Sequence, residues 1–332
     1  MTNSVVITSA TRTAVGSLGK SLKNTPANEL GSSVISESIK RSKLKPDDID
    51  EVIMGQVLTG GTGQNPARQA SINAGIPKEK PAYIVNQVCG SGIRSVVSGF
   101  QSIKSADSNI IIAGGQENMS LAPHAIHLRD GKKLGDTQII DTMIKDGLWD
   151  AFHGYHMGTT AENVATKFQV TRDQQDKFAF NSQEKALKAQ KENKFKDEIS
   201  NFKIKLKKAE VDFNKDEHPR EGITLEALTR LKPVFQKDGS VTAGNASGIN
   251  DGAAAVTLMS NKEADKRGLD KLVSIKSWAS CGVDPALMGT GPIPSVKKAL
   301  DLAGWSVKDL DLFEVNEAFA AQSIAVLKTL SI

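Results

Sequence analysis

The stretch Asn86-Gln-Val-Cys-Gly-Ser-Gly92 sets a cysteine between an apolar run and a cluster of small residues. A thiolate forms and releases thioesters readily, so a reactive cysteine here suits acyl transfer. The preceding "AYIVNQV" reads as a strand, and Ile93, Val96, Val97, Phe100 and Ile103 then recur at helical spacing. Cys89 therefore falls at a strand-to-helix junction. The N–H groups and the positive dipole end at a helix start favour a thiolate, and the same N–H groups can hold an oxyanion. Gly90 and Gly92 permit a tight backbone and close approach of a substrate. A second reading stays open on the local sequence: free cysteine is among the most buried residue types, and small neighbours also mark close packing.

Other candidate features carry less chemistry. His124-x-x-His127 and His153-x-x-His156 have metal-like spacing, but no cysteine or carboxylate cluster accompanies them, so no metal is expected. "GGTGQNPARQ" lacks the third glycine of a dinucleotide-binding turn, and Asn65-Pro66 already accounts for it as a helix start. Cys281 follows "VSIKSWAS" and reads as packing; the lysines of "KIKLKK" read as a solvated strand face. Taken alone, Met157, Met288 and Phe319 read as core, and Arg220 as a solvated loop residue.

The elements that must position Cys89 alternate. "SVVITSA", "DEVIMGQVL", "AYIVNQV" and "SNIIIAGG" read as strands, and "ANELGSSVISESIKRSKL" and "NPARQASINAGI" as helices, the latter with Asn65 as N-cap and Pro66 at its first position. That alternation predicts a parallel sheet with helices on its faces. From about Met119 to Asn250 the chain is more polar and irregular, with a long helix in "TRDQQDKFAFNSQEKALKAQKENKF" and a surface strand in "NFKIKLKKAEVDF". Afterwards "AAAVTLMS", "LVSIKSWAS" and "DLFEV" read as strands, and "IPSVKKALDLAG" and "AFAAQSIAVLKTL" as helices. The segment Asp48–Val57 resembles Asp309–Ala318, and each lies between two helices, which indicates an internal repeat. By that repeat, a strand–helix–strand unit is expected beyond Ile332 and is absent.

With 332 residues, 39% of them hydrophobic, the chain can bury a large core or a fused pair of cores. A net charge of +4 does not suggest nucleic acid as a partner, and no apolar run reaches bilayer length. The two cysteines form no C-x-x-C pair, so neither a disulfide scaffold nor a zinc ribbon is expected. The N-terminus lacks the long apolar core of a signal peptide, and a cytoplasmic location is the default.

In chain order, "NQVCGSG", "AGGQENMS", "APH", "YHMGTTAENVA", "DEHPR", "TAGNASGINDGAAAV", "MGTGPIP" and "NEAFA" resemble thiolases, in particular the acetyl-CoA acetyltransferase branch. The resemblance spans the whole chain. It implies an α/β fold with a duplicated α-β-α-β-α layered core, a mixed five-stranded sheet in each half, and an inserted loop domain. The implied domains are a first core half at 1–118 continued by 250–270, an inserted domain at 119–249, and a second half at 271–332. It also implies Cys89 as the nucleophile that carries the acyl group, and Asn316 as holder of an oxyanion-binding water. His156, Met157, Arg220, Phe235, Ala243, Ser247, Met288, Ala318 and Phe319 fall on positions that shape the CoA and acyl pocket. Acetyl-CoA, acetoacetyl-CoA and CoA are the implied partners, with no cofactor beyond CoA thioesters. "MSLAPHAIHLRDGKKLGD" resembles a tetramer-contact segment, so a homotetramer is implied.

Two motifs of that family are not found. No histidine lies in a Gly-His-Pro segment, since His218-Pro219 belongs to "DEHPR", and no second cysteine lies in a Gly-rich segment near the C-terminus. The expectation is a second half that is incomplete and truncated, with impaired condensation. The alternative is a non-catalytic acyl-CoA-binding or subunit-interaction protein. A ketoacyl or hydroxymethylglutaryl-CoA synthase is a third reading, against which "NEAFA" and "GNASGINDGAAAV" weigh.

Overall fold

Ile110, Ile111, Ile112 and Ala113 are all buried, although successive strand residues point to opposite faces. A strand with that pattern belongs to a sheet covered on both sides. The computed structural model, which describes residues 4–205 and 209–332, contains such a sheet. Its strands are β1 (Val5–Arg12), β2 (Glu51–Gly55), β3 (Ala82–Val85) and β4 (Ile110–Asn118). A separate hairpin, β5 (Phe202–Lys205) with β6 (Glu210–Phe213), precedes the last two sheet strands, β7 (Asn250–Ser260) and β8 (Val273–Ser274). The order across the sheet is β8-β1-β7-β4-β2-β3, and the short strand Gly16–Ser17 adds to β7. β2 runs parallel to β3 and to β4, whereas β7 is antiparallel to both β1 and β4. The sheet is therefore mixed, not parallel as the alternation of elements predicts. β7 enters from far along the sequence, and no local pattern records its direction.

The two faces have separate cores. Val6, Val52, Met54, Ile110, Ile112 and Met259 pack against α1 (Ala27–Arg41) and α2 (Pro66–Asn73), whose Leu30, Val34, Ile35, Ala67 and Ala70 are buried. Val5, Ile53, Ile111, Ala113 and Leu258 pack under α3 (Ser91–Ser105). α2 starts as its sequence predicts: the Asn65 side chain accepts from the Arg68 N–H at 3.1 Å, and Pro66 occupies the first turn. α3 differs in its packing face. Its most buried positions are Ser91, Ser95, Val97, Gly99 and Ile103, while Ile93 is 75% exposed. Small residues four apart bring the helix close to the sheet, and a Cβ on Gly99 would lie 2.8 Å from Leu258.

These elements form one compact unit that runs through Gly147 and adds Lys194–His218 and Ile249–Ile275. Ile204 and Phe213 of the hairpin join the α1-side core, and Arg12 bonds Glu198 at 2.7 Å and Asp216 at 2.8 and 3.0 Å. The block expected as one inserted domain, 119–249, is thus divided, because its 194–218 part is tied to β1. Residues 206–208 of the "KIKLKK" run lie outside the described residues.

The second unit comprises Leu148–Asn193, Pro219–Gly248 and Lys276–Ile332. Its main helices are α4 (Met157–Lys167), α5 (Arg172–Lys191), α6 (Pro292–Ala303) and α7 (Ala320–Leu330). α5 begins with a capping box, Thr171 and Gln174 each bonding the other's backbone N–H. Two expected strands do not form as read. "LVSIKSWAS" contributes only β8, and "DLFEV" pairs with no strand among the described residues. Leu312 is 90% exposed, and backbone of strand-like composition stays irregular where no neighbouring strand takes its hydrogen bonds.

Gly55 ends β2 directly under the start of α3, and a Cβ there would sit 2.4 Å from the Ser91 carbonyl carbon. Gly92 has open space at the same position. Gly55→Ala is expected to cost about 1–3 kcal/mol of stability as overpacking against backbone. Gly92→Ala is expected to be neutral or mildly stabilising. Urea-denaturation midpoints compare the two, and an unchanged midpoint for Gly55→Ala would contradict the close seating of α3.

Candidate active site

Cys89 follows β3, at the carboxyl ends of the parallel strands β2, β3 and β4. Its turn is tightly bonded. The Val88 N–H donates to Asn86 Oδ1 at 2.9 Å, the Gln87 N–H to Ser91 Oγ at 2.8 Å, and Ser91 Oγ–H to the Val88 carbonyl at 2.6 Å. The Gly90 and Ser91 N–H groups return to the Gln87 and Val88 carbonyls, each at 3.0 Å. Val88 is held at φ +49°, a left-handed conformation that a β-branched residue adopts only when its surroundings impose it. The turn leaves Cys89 exposed, which overturns the space-filling reading. The neighbouring atoms still desolvate the sulfur and push the thiol above its ordinary pKa, opposed only in part by its own backbone N–H. Cys281 is partly exposed and lies outside the core clusters, so it is not the packing residue expected.

The second unit brings together most of the expected pocket residues. Met157, Phe235, Met288, Ala318 and Phe319 share one apolar cluster with Ala161 and Val241. His156 stacks on Phe235 with ring centroids 4.7 Å apart, and Phe235 meets Phe319 edge-on at 6.3 Å. Gly158 lets Phe235 close on the start of α4, since a Cβ there would lie 2.3 Å from the ring. Ser247 is exposed, with its N–H bonded to the Ala318 carbonyl at 2.9 Å, and Ala243 is exposed on the same loop. Asn316 is exposed just ahead of α7, and the adjacent Glu317 accepts from Ser182 Oγ at 2.7 Å. Arg220 is exposed outside the apolar cluster, its N–H donating to Gln183. Among the described residues no histidine, cysteine or carboxylate group assembles as a metal cluster. His153 instead bonds Asp150 at 2.7 Å.

Asn86, Val88 and Ser91 shape the cysteine turn; all three lie within "NQVCGSG", a run that singles out Cys89 without distinguishing them. The signal available was the polar Asn and Ser on either side of the cysteine, which suggests side-chain bonds to a turn backbone.

His156 is the N-cap of α4, its Nδ1 accepting from the Gly158 N–H at 3.0 Å. Only a neutral ring can accept there, and burial lowers its pKa, favouring that form. With the folded pKa below the unfolded value of about 6.5, stability from this group is present above that pH and is lost as pH falls through the folded pKa. Midpoints in urea are expected to drop between pH 7.5 and 5.5 for the native chain. His156→Asn keeps a capping acceptor and should show a smaller drop, whereas His156→Ala should cost about 1 kcal/mol at pH 7.5. Equal pH dependence in all three would contradict the neutral cap.

The family model described as thiolase, N-terminal domain, matches residues 5–262, and that for thiolase, C-terminal domain, matches 269–332. The chain is 57% identical to an acetyl-CoA acetyltransferase of Rhizobium meliloti (strain 1021) over 327 residues, which covers 98% of this chain and 83% of that protein. It is 52% identical to the cytosolic acetyl-CoA acetyltransferase of Mus musculus over 330 residues, covering 99% of this chain and 83% of that one. The crystal structure of the Bacillus anthracis acetyl-CoA acetyltransferase superposes with a TM-score of 0.97 at 44% identity, covering 99% of this chain and 84% of that chain. Both domains of the pair are represented, so these matches do not support the expectation of an incomplete second half and impaired activity. The fold is the thiolase fold, and the chain belongs to the thiolase family.

Proposed function

We propose that this chain transfers acetyl groups between CoA thioesters through an acyl-Cys89 intermediate, as an acetyl-CoA C-acetyltransferase. The observation that carries the reading is an exposed cysteine presented by a strained, fully bonded turn in a chain of this family. The Cys89 sulfur attacks the acetyl-CoA carbonyl, the bond from carbonyl carbon to CoA sulfur breaks, and CoA leaves as the thiol. In condensation, a second acetyl-CoA gives up an α-proton and its carbanion takes the acetyl group, forming acetoacetyl-CoA and freeing Cys89. Thiolysis is the reverse. The Cys89 backbone N–H, which lies against its own sulfur, serves the developing oxyanion, and Asn316 holds an oxyanion-binding water. His156, Met157, Arg220, Phe235, Ala243, Ser247, Met288, Ala318 and Phe319 shape the CoA and acyl pocket.

CoA thioesters are the only small molecules this reading requires, with no separate cofactor. It places the protein in the cytoplasm as a homotetramer. Among the described residues no helix is long and apolar enough to cross a membrane. Support for assembly comes from the segment after Met119, where Leu128, Leu134 and Ile139 are 52%, 91% and 66% exposed.

Incubation with acetyl-CoA is expected to place one acetyl group on the peptide that contains Cys89, read by mass spectrometry, and none in Cys89→Ser. Binding of acetyl-CoA without acetylation would favour the non-catalytic reading. Because desolvation raises the Cys89 pKa, its alkylation by iodoacetamide should keep accelerating through and beyond the ordinary thiol range of about 8.5. A plateau reached below pH 8 would show a thiolate already stabilised in the free chain.

A further inference from the structure

Two buried carboxylates in the second unit have no part in the chemistry above. Glu162, on α4, is 4% exposed. Its oxygens accept from the Ser240 N–H at 2.8 and 2.9 Å, Ser240 Oγ–H at 2.8 Å and the Val241 N–H at 2.8 Å. Gly239 makes that approach possible, since a Cβ there would lie 2.2 Å from Glu162 Oε1. Asp176, on α5, is fully buried. It accepts from Arg172 Nε at 2.7 Å and from Asn245 Nδ2 at 2.9 Å.

Asn245 carries the connection onward. Its Oδ1 accepts from the Thr242 N–H at 2.8 Å, its Nδ2 also donates to the Ser240 carbonyl at 3.0 Å, and its own carbonyl accepts the Ala320 N–H at 2.9 Å. Residues 240–245 are therefore fixed from below by side chains of α4 and α5, and joined to the start of α7. Ala243 and Ser247 project from this loop into solvent. A loop that exposes Ala243 and Ser247 while Val241, Thr242 and Asn245 stay buried against charged acceptors is ordered before anything binds to it, which lowers the entropy lost on binding.

We propose that Glu162 and Asp176 are positioning residues for the CoA thioester: they hold the 240–247 loop in the shape that presents Ala243 and Ser247. The claim rests on the functional reading above. It predicts that loosening the loop weakens substrate capture and leaves the chemical step at Cys89 largely intact.

The test uses the full chain and its E162Q variant. Glutamine keeps the size of the side chain but sets a donor against backbone N–H groups. The acetyl-CoA concentration for half-maximal acetylation of Cys89 is expected to rise about tenfold or more in E162Q, the scale for disrupted buried hydrogen bonds to a charged group. The limiting rate should stay within about threefold, because uniform binding was lost and not an interaction made only in the transition state. Hydrogen exchange at amides 240–247 should quicken while that of α7 is retained. S240A, which removes one donor only, should move both readouts the same way by less, and it decides the matter if E162Q does not fold. Unchanged half-saturation in both variants overturns the proposal, including where the loop exchanges faster, since Glu162 is then structural only. If the native chain is not acetylated at all, the functional reading fails. Protection of amides 240–247 by added CoA, present in the native chain and absent in E162Q, then supports positioning, and equal protection in both overturns it.

Discussion

The first turn of α3 rests on the end of β2, and the cysteine site depends on that contact. A side chain on Gly55 would occupy the space of the Ser91 backbone, so the helix can begin where it does only above a glycine. Ser95 Oγ–H then bonds the Gly114 carbonyl at 2.6 Å, which fixes the helix to β4 as well. With both ends of the turn fixed, the chain between β3 and α3 is too short to relax. The conformational cost falls on Val88, held left-handed at about 1–3 kcal/mol. Asn86 and Ser91 offset it with three hydrogen bonds to the same few residues. The result is an exposed cysteine on a tightly bonded mount, the arrangement a nucleophile needs and a packing residue does not.

Desolvation acts on both units in the same sense. It raises the pKa of Cys89 and lowers that of His156, and in each case the neutral form gains. For His156 the neutral form is the useful one, because its ring nitrogen must accept a hydrogen bond and its face must lie on Phe235. For Cys89 the neutral form is the resting one. The Gly90 and Ser91 N–H groups are taken up by the Gln87 and Val88 carbonyls, which leaves the Cys89 N–H as the backbone donor opposing desolvation of the sulfur. A thiol held neutral at rest is less open to alkylation and oxidation than a thiolate.

Most single elements of the first unit were legible in the sequence. Asn65-Pro66 marked the start of α2 and the Ile110–Ala113 run marked a buried strand; in the second unit "TRDQQDKFAFNSQEKALKAQKENKF" marked the long helix α5. What was not legible depended on partners distant in the chain. The direction of β7 between β1 and β4, the burial of Ser91, Ser95 and Gly99 instead of Ile93, and the tie from Arg12 to Asp216 are of this kind. The pocket residues were found only through the family motifs, since Met157, Met288 and Phe319 have no local pattern that separates them from ordinary core. Glu162 and Asn245 lie inside those same motifs, yet their hydrogen bonds appear only once α4 and the 240–245 loop are folded together.

The internal repeat separates the local contribution from the tertiary one. In both copies the turn before the repeated segment closes the same way: the Lys45 N–H donates to Asp48 at 2.7 Å, and the Ser306 N–H to Asp309 at 2.7 Å. Both turns follow a helix and lead into apolar, strand-like sequence. From there they diverge. Residues 51–55 become β2, with β3 on one side and β4 on the other, whereas residues 311–315 pair with no strand among the described residues. The turn is complete within four residues and forms wherever its sequence occurs. A strand takes half its hydrogen bonds from elsewhere, so the same pattern gives a strand in one copy and irregular backbone in the other.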